Sequence, residues 1–181
     1  MGKGTIESEV KIHVVDAESA RQAVRRLGAR LERARHFEDN LLFDDPAGSL
    51  RAAGRILRIR RFNDGAGVLT FKGPREIVEG VKSRSELETP LPDPDAMESV
   101  FRALGYRSTF RYQKYRETYR WQDVEIVVDE TPVGVFLEIE GAIEAVHRAA
   151  AALHYGPADY VAESYAALFF AAGGQGDMIF K

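Results

Sequence analysis

The feature that most constrains the fold is an alternation of apolar and charged residues with a period of two, repeated along most of the chain. It opens with Ile6, Ser8, Val10, Ile12 and Val14 set against Glu7, Glu9, Lys11 and His13, the pattern of a strand with one buried and one polar face. Comparable stretches follow at 54–62, 67–72 (GVLTFK), 81–88 (VKSRSELE), 112–121 (YQKYRETYRW), 124–129 and 133–140, the last two read as a hairpin through Glu130–Pro132. A short apolar run from Asn40 to Phe43, ahead of the turn DDPAGS, supplies one more strand. A helical period interrupts this series in few places. Asp16 caps one helix with Ala20, Val24, Leu27 and Leu31 on its face and Gly28 near its end. After Pro90, Pro92 and Pro94 break the sheet, Asp93 caps a second helix with Met97, Phe101 and Leu104 on one side. Two further helical faces run from Ile143 to Leu153 and from Val161 to Phe169. Strands interrupted by single helices predict an α+β fold on a largely antiparallel sheet, in one domain over residues 1–172 with a fraying tail at 173–181.

A chain of 181 residues with 45% hydrophobic content can bury a core without staples. It has no Cys, which excludes thiolate chemistry and Cys-ligated metal, and its four His leave little room for a His-rich metal site. The N-terminus lacks the apolar stretch of a signal peptide, Ile6 replaces the Ser or Thr of a myristoylation pattern, and no run is apolar enough to span a membrane. The expectation is a cytoplasmic protein with no membrane partner. The net charge of −3 hides a division: residues 1–120 carry 23 Lys/Arg and 18 Asp/Glu, and residues 121–181 carry 2 and 10.

On one strand taken alone, a charged face is ordinarily a solvated surface. Here the selection recurs strand after strand: Glu7, Glu9 and Lys11; Arg58 and Arg60; Thr70 and Lys72; Lys82, Arg84, Glu86 and Glu88; Lys114, Arg116 and Arg120; then Asp129, Glu138 and Glu140. A closed antiparallel sheet turns such faces inward and collects the charges across a channel. Arg and Lys there can surround phosphate oxygens, while clustered carboxylates suit a hard cation such as Mg²⁺ or Mn²⁺. Because the basic residues alternate into the enclosure, nucleic-acid binding by an exterior groove is not expected. His36 reads as a satisfied polar residue, Tyr115, Tyr119 and Trp121 as packing on the opposite face, and Arg25/Arg26 as a solvated helix face. The glycines at 65, 67, 173, 174 and 176 lack the strand–loop–helix setting of a phosphate loop.

Arranged in order, these residues carry a resemblance. Glu7-Ser-Glu9-Val-Lys11 reproduces an E-x-E-x-K motif, followed by LRIR (57–60), LTFKGP (69–74), RSELE (84–88), KYR (114–116), VDE (128–130) and FLEIEG (136–141). Over about residues 5–141 the chain resembles the CYTH family, the triphosphate tunnel metalloenzymes, which includes class IV adenylate cyclases, thiamine triphosphatases and inorganic triphosphatases. The resemblance implies an eight-stranded antiparallel β-barrel, or tunnel, with helices outside. It implies phosphate contacts by Lys11, Arg58, Arg60, Lys72, Arg84, Lys114 and Arg116, and Mg²⁺ or Mn²⁺ held by Glu7, Glu9, Glu138 and Glu140. Asp129 is expected to bind metal or position a nucleophile, so the catalytic set is Glu7, Glu9, Lys11 and Asp129. Glu86 and Glu88 are expected to bind metal or orient basic neighbours. The partner implied is a triphosphate-bearing small molecule: inorganic triphosphate, thiamine triphosphate or ATP. The leading reaction is hydrolysis of a terminal phosphoryl group. The alternatives are cyclisation of ATP to cyclic AMP and pyrophosphate, and triphosphate or polyphosphate binding without turnover. A homodimer through an outer sheet face or the terminal helices fits the pattern.

Overall fold

In a computed structural model of the protein, described over residues 5–181, nine strands and five α-helices follow one another. Residues 1–4, with Gly2, lie outside the described residues. The order is β1 (Thr5–Val14), α1 (Ala17–Arg26), β2 (Arg30–Asp44), α2 (Ser49–Ala52), β3 (Ile56–Phe62), β4 (Gly67–Lys72), β5 (Glu76–Val78), β6 (Val81–Leu91), α3 (Pro94–Ala103), β7 (Arg107–Trp121), β8 (Val124–Thr131), β9 (Gly134–Glu140), α4 (Ile143–Ala152) and α5 (Tyr165–Ala171). Eight strands close into an antiparallel barrel in the order β1-β9-β8-β7-β2-β3-β4-β6, with β6 returning to β1. β6 makes the closure by pairing Lys82–Glu86 with β1 and Glu86–Leu91 with β4. The short β5 lies against its first residues as an added strand.

The barrel is inside-out relative to an ordinary core. Outward-facing Val10, Ile12, Tyr119, Ile126, Val128, Leu137 and Ile139 pack beneath Ala20 and Val24 of α1 and Val146 and Ala149 of α4. Leu41, Phe43 and Ile59 meet Phe101 of α3 in a second cluster. Each such side chain contributes about 1.5–3 kcal/mol on burial, which offsets the cost of turning the charged faces inward. The two main caps form as the sequence predicts: Asp16 accepts from Ser19 N at 2.8 Å, and Asp93 accepts from Ala96 N at 2.9 Å with Pro94 opening α3.

Four local expectations are corrected. Leu31 belongs to β2, not to α1, because α1 stops at Arg26 and Gly28 turns the chain with φ of 83°. β2 and β7 are both longer than the alternation indicates. β2 adds residues 30–39, whose exposed first residues are held by cross-strand charge, Arg120 meeting Glu32 at 3.2 Å, and β7 adds residues 107–111, which pair with Leu41–Asp44. β6 continues through Pro90, which sits opposite Val68 of β4 where β6 no longer pairs with β1, so its missing N–H breaks no ladder bond. The tail at 173–181 is docked, not frayed. Met178 is fully buried, its backbone exchanges bonds with Arg111 O and Gln113 N at 2.9 Å each, and Asp177 accepts from Arg111 N at 2.8 Å. Among the described residues no helix is long and apolar enough to cross a membrane.

Candidate functional site

The inward faces enclose a cavity of about 690 Å³, lined by every predicted site residue except Asp129. Register explains the assembly. Glu7 stands opposite Arg84 and Glu9 opposite Lys82 on the β1–β6 side, while Glu9 also faces Glu140 and Lys11 faces Glu138 on the β1–β9 side. Nine Lys/Arg and seven Glu line the space.

The cationic wall is short of acceptors. Arg58 reaches Tyr112 OH at 3.2 Å, Thr70 Oγ1 at 3.1 Å and Glu88 at 3.4 Å, yet its buried Nε has no hydrogen-bond partner. Arg84 likewise has a buried Nε without a partner. Burial lowers the basicity of Arg84 despite Glu9 and Glu7. Burial and the Arg58 charge do the same to Arg60 and to Lys72. These are cations crowded together in a partly dry space, a state that a polyanion relieves. Lys11 is held between the Glu163 carbonyl, to which it donates at 3.0 Å, and Glu138 at 3.5 Å, with its ammonium 4.2 Å from the centre of the Tyr165 ring.

Asp129 occupies a different place from the one expected. It is fully buried and accepts from Lys114 at 2.8 Å, from Arg116 in a two-pronged pair at 2.7 and 2.5 Å, and from Tyr165 OH at 2.9 Å. Four hydrogen bonds occupy its carboxylate and hold Lys114 and Arg116 in place. Glu86 takes Lys72 at 2.9 Å and lies 4.0 Å from Arg58, and Glu88 accepts from Thr70 at 2.6 Å. Both carboxylates thus lie against basic side chains of the wall, Glu88 also 3.4 Å from Arg58.

The carboxylates gather around the β1–β9–β8 seam, where Glu9 and Glu125 both stand opposite Glu140. Burial, then Glu7, Glu125 and Glu9, push the Glu140 carboxyl up to about 8. Glu9 is held below its ordinary value: burial and Glu138 oppose ionisation, but Lys82, Lys72 and Lys11 prevail. Glu138 is held well below, because Lys11, Arg116 and Lys114 outweigh its burial. Among the described residues no three carboxylate or imidazole groups already form a coordination shell. Lysines stand in instead, Lys82 on Glu9 and Lys72 on Glu7. The donor set nevertheless fits a hard divalent cation: all-oxygen, and anionic enough around Glu140 that a proton is retained where positive charge is lacking.

Several lining or supporting residues escape the sequence reading. Glu38 of β2 is fully buried, with Arg60 at 3.3 Å and Lys114 at 3.7 Å, and these two charges hold its carboxyl well below the usual range against the effect of burial. Tyr112 and Glu125 line the cavity from β7 and β8, and Tyr165 from α5. Tyr112 continues the alternation of Lys114 and Arg116 by two residues and was legible from that spacing. Tyr165 was not, since nothing local shows that α5 closes against the barrel. His36 is a satisfied polar residue, between Ala34 O at 3.0 Å and Glu38 at 3.3 Å.

With this geometry in hand, comparison places the chain among known proteins. A protein of Methanocaldococcus jannaschii named "putative adenylate cyclase" is 30% identical over 143 residues, covering 78% of this chain and 80% of that protein. The crystal structure of another "putative adenylate cyclase", from Vibrio parahaemolyticus, superposes with a TM-score of 0.81 at 20% identity, over 93% of this chain and 99% of the other. A Hippeastrum protein, a "putative adenylyl cyclase" said to reveal a dominant triphosphatase activity, superposes with a TM-score of 0.69 at 23% identity, over 93% and 97%. The CYTH domain profile matches residues 5–165, and the chain belongs to the CYTH family.

Proposed function

We propose that the protein hydrolyses a terminal phosphoryl group from a triphosphate, with a divalent cation, inside the barrel. The observation that carries this reading is the coexistence in one cavity of two unsatisfied sets of opposite sign. Arg58 and Arg84 have donors without acceptors, Arg60, Lys72 and Arg84 have depressed basicity, and Glu140 keeps a proton to about 8. A polyanion relieves the first set and a cation the second. Phosphoryl transfer asks little covalent chemistry of a protein and depends on placing charge where it develops. Arg58, Arg60 and Arg84 would grip non-bridging oxygens, with Lys114 and Arg116 held rigid for the same task by Asp129. Glu7, Glu9, Glu138 and Glu140 would hold Mg²⁺ or Mn²⁺, which supplies charge neutralisation and orientation of the attacking water.

A second reading is cyclisation of ATP, favoured by the name of the Methanocaldococcus jannaschii relative. The dominant triphosphatase activity attributed to the Hippeastrum protein supports hydrolysis over it. Product analysis separates them. With Mg²⁺ or Mn²⁺, purified protein is expected to release orthophosphate from tripolyphosphate, thiamine triphosphate or ATP, and the Glu7→Gln/Glu9→Gln variant to lose that release. Cyclic AMP with pyrophosphate from ATP would replace hydrolysis by cyclisation. No product above the variant's background from any of the three would remove catalysis on these substrates.

A further inference from the structure

Tyr112 has a ring and a hydroxyl with separate surroundings, and it belongs to none of the motifs that mark the site in the sequence. The ring packs with α5 and with Phe110, whose ring centre is 6.1 Å away. The hydroxyl belongs to the cavity. Tyr112 lines it from β7, two residues before Lys114 and opposite Asn40, which is itself opposite Arg60 of β3. Arg58 Nη1 donates to the phenol oxygen at 3.2 Å, and the other arm of that guanidinium is held by Thr70 Oγ1 at 3.1 Å and by Glu88 at 3.4 Å.

A hydroxyl that accepts from Arg58 still has its own hydrogen to give. Among the described residues it donates to no protein acceptor, and it shares that deficit with its neighbours: Asn40 Nδ2 and Arg58 Nε are buried donors without partners. The carboxylates of this wall face other groups, Glu38 lying 3.3 Å from Arg60 and 3.7 Å from Lys114, and Glu88 accepting from Thr70 at 2.6 Å. Three kinds of donor thus meet in one place that lacks acceptors. Water could take the hydrogen of Tyr112 but would leave Arg58, Arg60 and Lys114 crowded; an oxyanion serves the donor and the cations together.

Resting on the triphosphate reading above, we propose that Tyr112 is a further catalytic residue: its O–H donates to a non-bridging phosphate oxygen beside Arg58, a neutral, directional donor among the cations of the clamp. The surroundings strengthen this bond. Burial would raise the phenol, but Arg58, Lys114 and Arg60 outweigh it and hold the group below its ordinary value, which makes the O–H a better donor to an anion. Arg58 giving to the phenol oxygen and the phosphate taking from the phenol hydrogen form a chain in which each bond polarises the next. The ring fixes where this donor points, because its packing with Phe110 and α5 exists before any substrate arrives.

The test is calorimetric binding of tripolyphosphate in metal-free buffer, which prevents metal-dependent turnover, to wild type, Tyr112→Phe, Arg58→Gln and the double variant. Tyr112→Phe keeps the ring and its packing and removes only the hydroxyl. Its melting temperature is expected to match wild type while its affinity falls about tenfold, the worth of one hydrogen bond to a charged acceptor. The same fall is expected when Tyr112→Phe is added to Arg58→Gln, because the hydrogen goes to the phosphate and not through the guanidinium. Wild-type affinity in Tyr112→Phe overturns the proposal while leaving the triphosphate reading intact, and needs no Arg58 variant to fold. A fall that vanishes in the Arg58→Gln background also overturns it, leaving Tyr112 as a residue that only positions Arg58. Failure of the wild-type protein to bind tripolyphosphate overturns the proposal together with the reading beneath it.

Discussion

Arg84 and Glu38 lie in the same barrel and have opposite duties. Arg84 lines the cavity, and among the described residues its guanidinium makes no ion pair and its Nε no hydrogen bond. Arg84→Ala should therefore leave the melting temperature nearly unchanged and weaken triphosphate binding about tenfold or more, the worth of one charge-assisted contact to an oxyanion; paired calorimetric and thermal measurements check both halves. Glu38 is the reverse case, a buried carboxylate whose partner Arg60 would lose its ion pair without it, while Lys114 keeps Asp129. Glu38→Gln should cost about 3–5 kcal/mol at pH 7, the usual consequence of breaking a buried pair from one side. Because the folded-state value of Glu38 is depressed, its contribution is complete above the ordinary value of 4.5 and is lost as pH falls through the folded-state value. Urea unfolding should accordingly show wild type and variant converging in acid and separated at neutral pH. The sequence made residues like Arg84 legible, because they stand in strict alternation with apolar neighbours. It hid Glu38, whose strand begins in RLERARHFED with no such alternation.

At the scale of elements, the barrel strands were readable wherever one face was apolar, and unreadable where charge pairing held the ladder. β4 matches its sequence pattern to the residue, whereas the first half of β2, where Glu32 meets Arg120 of β7, carries no periodic signal. The helices followed their caps, since Asp16 and Asp93 satisfy backbone donors whatever lies beyond them. The tail was misread for a related reason: Gly173, Gly174 and Gly176 signal a break in regular structure but not where the chain goes next. It returns along β7, bringing Met178 against Phe110, Phe136 and Tyr165. Met178→Ala should cost about 2–5 kcal/mol, the range for emptying a fully buried apolar site, read as a lowered denaturation midpoint. An unchanged midpoint would mean that the tail is not docked in solution.

For the whole molecule, the near-neutral net charge of −3 conceals a separation in space. The apolar surface faces outward beneath α1, α3 and α4, while the charges face inward, and that inversion makes the interior a binding site rather than a core. Closure of the barrel is what the sequence could only imply, because it depends on Lys82–Glu86 of β6 reaching Thr5–Glu9 of β1, far away in the chain. The pairing of β9 with both β1 and β8 places Glu9, Glu140 and Glu125 side by side, a juxtaposition no local motif contains. Folding thus stores two kinds of electrostatic misfit in one cavity, cations of depressed basicity at Arg60, Lys72 and Arg84 and a carboxylate cluster around Glu140. The account stands on those misfits being relieved by substrate and metal together. A crystal structure with Mn²⁺ and a non-hydrolysable triphosphate, using the anomalous signal of manganese, tests this most directly. The account predicts manganese held by carboxylates among Glu7, Glu9, Glu138 and Glu140, with phosphate oxygens against Arg58, Arg60 and Arg84. Manganese and phosphates bound on the outer surface, with the interior ion pairs undisturbed, would contradict it.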